Sequence, residues 1–158
     1  MSRTKHPRRR YDPNRLIRRA AESLDRKSAA LPLDQSQTTD IGLTYHLSLD
    51  AIKGGYATEE IWSNLACSVN IALILAEQGT EEARIEDIKR AQDALMRAKA
   101  RSERFGTWGL DGDGIRDLQM ALTVHDSQMK TAPKAQVRVA INEMHRRMAA
   151  GDFLEIQR

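Results

Sequence analysis

One stretch of this chain fits nothing except a buried helix. Ile61, Leu65, Val69, Ala72, Leu73 and Ala76 return every three to four positions and so share one helical face. Trp62, Ala66, Ile71, Ile74 and Leu75 widen that face until little of the surface is polar. A helix apolar all round is stable in water only when neighbours cover it, so the segment predicts the centre of a bundle. Thr58 is placed to cap its start, Glu59 and Glu60 complement the positive end, and Gly79 closes it. Its longest apolar stretch, residues 69–76, is interrupted by Asn70 and is far too short to cross a bilayer.

The rest of the chain carries the same periodicity in shorter stripes. Asp12-Pro13 is a helix start, and Leu16, Ile17, Ala20 and Leu24 continue a first helix to about Ala30, where Pro32 stops it. A second helix begins between Ser36 and Thr39, with Asp34 and Gln37 offering a capping box and Thr38 or Thr39 as rival caps. Ile41, Tyr45, Leu49 and Ile52 form its stripe, with Leu47 beside it, and Gly54-Gly55 ends it. Thr80 opens the helix after the apolar one, along the line Ile85, Ile88, Gln92, Leu95 and Lys99. Ile115, Leu118, Leu122 and His125 mark a fifth helix; Val137, Ile141, Met144 and Met148 mark a sixth, started by Pro133 and stopped by Gly151. The expectation is an all-α, compact bundle of about six helices over residues 12–158, with a basic N-terminal arm, residues 1–11, that is disordered in isolation. The tail could fray, or dock through Phe153, Leu154 and Ile156.

Aromatic residues make up only 4% of the chain, so the core must be aliphatic, which suits helix packing. Cys67 is the one cysteine and lies inside the apolar run, so it reads as a small core side chain. With no disulfide and no apolar segment after the charged N-terminus, the expected location is cytoplasmic.

Few residue patterns carry chemistry. Asp111-Gly112-Asp113-Gly114 suggests a calcium loop, but counting twelve positions puts Gly109 first and Met120 last, and neither supplies a carboxylate. The better reading is that one of the two aspartates caps the fifth helix while the glycines allow a tight turn. Beside them, Phe105 and Trp108 are expected to plug the bundle end, with an exposed Trp108 anchor as the alternative. His6, His46, His125 and His145 lack zinc-protease spacing, and His125-Asp126 are helix neighbours that point apart. Asn70 is expected to fix packing register, or else to edge a pocket. With no phosphate loop, nucleophile elbow or dinucleotide fingerprint, the chain reads as a non-enzyme without cofactor or metal.

Charge is strongly segregated. Residues 1–19 carry a net of +7, against a net of −7 for residues 28–83. Arg8, Arg9, Arg10, Arg15, Arg18 and Arg19 could neutralise phosphates, and Tyr11 could stack on a base. Arg97, Arg101 and Arg104 are secondary candidates for such contacts. Pairing of the arm with the acidic region is a competing reading, and a solubilising tail is a third. The acids Asp34, Asp40, Asp50, Glu59 and Glu60, together with Trp108, are the candidate contacts for a protein partner, whose basic patches they could occupy.

Gln92-Asp93-Ala94-Leu95, leading to Gly106-Thr107-Trp108-Gly109-Leu110, then Ile115 to Leu122 and His125-Asp126, resembles small uncharacterised helical proteins of proteobacterial prophages and plasmids. The resemblance covers roughly residues 58–128 and not the arm. It brings no active site and implies a mobile-element origin. The expected function is therefore a non-enzymatic binding protein that docks on a host or replicon complex and modulates it, for example by inhibiting host defence. The alternative is a nucleic-acid-binding accessory subunit that contacts DNA or RNA through the arm.

Overall fold

The computed structural model of the protein describes residues 29–151. Among them lie five α-helices: α1 (Gln35–Lys53), α2 (Glu59–Glu77), α3 (Ile85–Phe105), α4 (Gly112–Thr131) and α5 (Lys134–Ala149). A single 3-10 turn, Glu82–Arg84, precedes α3. The expected first helix over 12–30, the arm and the tail residues Phe153, Leu154 and Ile156 fall outside the described residues, apart from a turn at Ala29 and Ala30.

The all-apolar helix, now α2, is indeed central. It packs against α1, α3, α4 and α5, while α4 also packs on α1 and α3. Every residue from 65 to 76 is buried, which explains why its sequence has no polar face. Two clusters use its opposite sides. Leu65, Ala66, Val69, Ala72, Leu73 and Ala76 meet Tyr45, Leu49 and Ile52 of α1, Ile88, Ala91 and Leu95 of α3, and Leu118 and Leu122 of α4. Cys67, Ile71, Ile74 and Leu75 face Leu33, Met129 and the α5 residues Val137, Ala140, Ile141 and Met144. Burial pushes the Cys67 thiol up to about 12, so it is inert packing. Asn70 accepts a hydrogen bond from the Gln92 side-chain amide at 2.9 Å and ties α2 to α3, which is the register role expected of it.

The caps follow the sequence closely. Asp34 and Gln37 form a reciprocal capping box at α1: the Gln37 N–H donates to Asp34 Oδ1 at 2.9 Å, and the Asp34 N–H to Gln37 Oε1 at 3.2 Å. Asp34→Ala is expected to lower the unfolding free energy by about 1 kcal/mol in urea titrations, whereas Asp34→Asn keeps most of it. Equal losses in the two variants would trace the effect to charge instead of the cap. Thr58 caps α2 by accepting from the Ile61 N–H at 3.4 Å.

The helix expected from Thr80 starts later, at Ile85. Thr80 has other partners: Gln128 donates to its carbonyl at 3.0 Å and Gln136 to its hydroxyl at 2.9 Å. Glu81 then takes a left-handed conformation, φ 63°, that no α-helix continues through. At α4, Asp111 accepts from the Gly114 N–H at 2.6 Å, and Asp113 pairs with Arg116, so both aspartates are engaged in helix initiation. A Cβ on Gly114 would lie 3.1 Å from the Ala94 Cβ, so glycine permits the close approach of α3 and α4 there.

Pro133 stands before α5 without a side-chain cap. The carbonyls of Leu31 and Ala29 take its place, accepting from the Lys134 and Ala135 N–H groups at 2.8 Å each. At the other end Arg147 joins Glu77 of α2 at 2.6 Å and Glu143 at 2.9 Å.

Candidate functional site

Helix α1 divides its residues by direction. Tyr45, Leu49 and Ile52 point into the core, and the opposite side presents Asp40, Leu43, Leu47 and Asp50. These four are spaced three, four and three apart, so they form one continuous outward line. Leu43 and Leu47 are 56% and 58% exposed, unusual for adjacent leucines on one helix. Asp40 has no cation beside it among the described residues, and Asp50 has only Lys53, one turn on at 3.8 Å.

Beside this line a groove of about 630 Å³ runs between α1 and α4. Leu33, Thr39, Gly42, Leu43 and His46 line it from the α1 side, Asp126 and Lys130 from α4. Its rim is a polar cluster that joins residues far apart in sequence. The Tyr45 hydroxyl donates to Asp126 Oδ1, and His46 Nε2 lies 3.0 Å from Asp126 Oδ2. His125 sits beneath, its ring 5.1 Å from that of Tyr45. Burial, reinforced by the bond to Asp126, raises the Tyr45 phenol far above its ordinary range. Burial pushes the His125 imidazole down to about 4 in spite of the Asp126 carboxylate, so it is neutral near pH 7. A phenol held protonated and a neutral, enclosed imidazole are structural groups; neither is an accessible base or nucleophile.

The fold separates the sequence candidates. Asp34 is occupied as a cap, and Glu59 and Glu60 lie exposed in the first turn of α2, where they complement its dipole. Asp40 and Asp50 alone stand on the outward line with exposed leucines. Trp108 is half-buried, its ring 5.4 Å from that of Trp62, whose indole N–H donates to the Leu95 carbonyl at 2.8 Å. Phe105 does not plug the bundle end: it is 65% exposed, because α3 stops at the left-handed Gly106 and leaves the ring outside under Arg104. Arg97, Arg101 and Arg104 are all exposed on α3 at spacings of four and three, so they share one face; Arg97 faces Asp111 at 3.8 Å and Arg101 lies against Gly109. Arg8, Arg9, Arg10, Tyr11, Arg15, Arg18 and Arg19 lie outside the described residues.

No family model, curated protein or solved structure was found to match the chain.

Sequence reasoning passed over Leu43, although its spacing to Leu47 was a usable signal. An apolar pair four apart, flanked by acids three residues out on either side, is a second stripe on a helix that already has an inward one. Nothing in the sequence signals the Tyr45–Asp126–His46 cluster, since it depends on the pairing of α1 with α4. Among the described residues, no helix is long and apolar enough to cross a membrane.

Proposed function

We propose that this chain is a non-enzymatic binding protein that docks on a protein complex of a host or replicon through the outer face of α1 and modulates that complex. The observation that carries this reading is the exposed Leu43–Leu47 pair between Asp40 and Asp50, on a helix whose other side is locked into the core. Exposed apolar side chains framed by charge are the anatomy of a docking surface, with a desolvated centre and a polar rim. The adjoining groove offers space for a partner side chain beside Leu43. The resemblance to prophage and plasmid proteins favours a host or replicon complex as the partner.

The test is affinity capture with the wild-type chain and with the double variant Leu43→Ser/Leu47→Ser. Both positions are exposed, so the double variant keeps the fold to within about 1 kcal/mol. A stoichiometric partner is expected with the wild type, surviving nuclease treatment and lost with the variant. Equal recovery on both would move the docking surface elsewhere, and loss on nuclease treatment would replace the reading with one of nucleic-acid bridging.

A further inference from the structure

The outward line of α1 reads the same from either end: acid, leucine, leucine, acid, at positions 40, 43, 47 and 50. That symmetry determines which occupants it accepts. If two copies of the chain paired through α1 in antiparallel fashion, Leu43 of one copy would face Leu47 of the other, and Asp40 would face Asp50 twice. A parallel, in-register pairing would set Asp40 against Asp40 and Asp50 against Asp50. Either way the apolar contact carries two acid-on-acid contacts at its rim, and like charges across an interface suppress that pairing. The face is therefore built against a second copy of this chain.

From this face, and resting on the docking role argued above, we infer that its partner is a basic amphipathic helix supplied in trans. Its matching pattern has two apolar residues four apart, with an arginine or lysine three positions outside each of them. Such a helix lays its apolar pair over Leu43 and Leu47 and sets a cation against each of Asp40 and Asp50. Because the acidic frame is symmetric, the partner helix satisfies the charges in either direction. The surroundings of the groove supply the asymmetry. On its α4 side Lys130 faces the groove, and on its α1 side His46 is held by Asp126. A partner residue over Lys130 is therefore acidic or neutral, whereas the partner's two cations stay with Asp40 and Asp50 at the ends of the line.

The probe is a synthetic helical peptide with the pattern Arg-x-x-Leu-x-x-x-Leu-x-x-Arg, its remaining positions alanine and glutamine, titrated into the full-length chain by fluorescence anisotropy. A control peptide carries glutamate in place of both arginines. The wild-type chain is expected to bind the arginine peptide at least ~10-fold more tightly than the glutamate peptide. In Asp40→Lys/Asp50→Lys the preference should reverse. These substitutions lie on an exposed helix face, and circular dichroism confirms folding in the same samples. A preference unchanged by the double substitution arises elsewhere on the molecule and overturns the inference, as does the absence of any preference. Sedimentation of the wild-type chain as a dimer that Leu43→Ser/Leu47→Ser dissociates would also overturn it, because the face would then belong to a second copy. If instead the captured partner is lost with Leu43→Ser/Leu47→Ser but insensitive to Asp40→Lys/Asp50→Lys, the docking role stands and the basic-helix assignment alone fails.

Discussion

Replacing Leu65 with alanine is expected to lower the unfolding free energy by about 3–4 kcal/mol, a large share of what a domain of this size has. Leu65 is fully enclosed where α2 meets its neighbours in the larger cluster. The loss exceeds the transfer of the missing carbons, because the cavity cannot close. Closing it would require α2 to shift, but its far side is interlocked with α5 through Ile71, Ile74 and Leu75, and Asn70 holds it to α3. Urea titration followed by tryptophan fluorescence reads the change, since Trp62 lies one turn before the substituted residue. Leu43→Ala in the same assay is expected to move stability by no more than about 0.5 kcal/mol, despite the identical chemical change. A Leu65→Ala loss below about 1 kcal/mol would mean that the bundle re-closes around the gap, and the two-sided clamping of α2 would be wrong.

The second large effect is a loss of stability in mild acid. An unfolded chain takes up a proton on His125 near the ordinary value of 6.5, whereas in the folded bundle burial delays uptake to about 4. Between those values the unfolded state holds more protons, so stability is complete above pH 6.5 and declines as the pH falls toward 4. The full span corresponds to about 3 kcal/mol. Tyr45, Asp126, Gln128 and His46 surround the imidazole; the Asp126 carboxylate and Gln128 favour its charged form and His46 opposes it, but burial outweighs them. His125→Gln removes the titrating group and is expected to flatten the slope of unfolding free energy against pH between 6.5 and 5, whatever its effect on stability at pH 7. Parallel slopes for variant and wild type would show that another group controls acid sensitivity.

Much of the architecture was readable because it depends on local rules. Period, cap and glycine stop act within a few residues, so Thr58 and the all-apolar α2 declared themselves, and the choice of Asp34 over Thr38 or Thr39, and of Asp111 over Asp113, was all that the structure had to add. Long-range competition hid the rest. Thr80 has the chemistry of a cap, but its hydroxyl and carbonyl are taken by Gln136 and Gln128 from helices far along the chain. Phe105 sits in an apolar-aromatic segment, yet the turn at Gly106 leaves it outside. His125 and Asp126 do point apart, as neighbours on a helix must; what the sequence hides is that Tyr45 meets both, its ring against one and its hydroxyl on the other. For the candidate surface, the excess of acid over residues 28–83 was visible as a sum. Its division into acids engaged at helix starts and acids framing an exposed leucine pair required knowing which side of α1 is buried.

The backbone bonds from Ala29 and Leu31 to the start of α5 impose an order on how the molecule is made. The carbonyls that complete α5 leave the ribosome long before α5 itself, so they wait through synthesis of the whole intervening chain. Meanwhile α1 to α4 already possess every side chain of the larger cluster. That four-helix unit is complete while Ile71, Ile74 and Leu75 still lack the α5 residues that cover them. The helix that follows these four is thus the one that seals an open apolar seam, and a nascent chain stalled before it exposes a surface suited to capture by a chaperone.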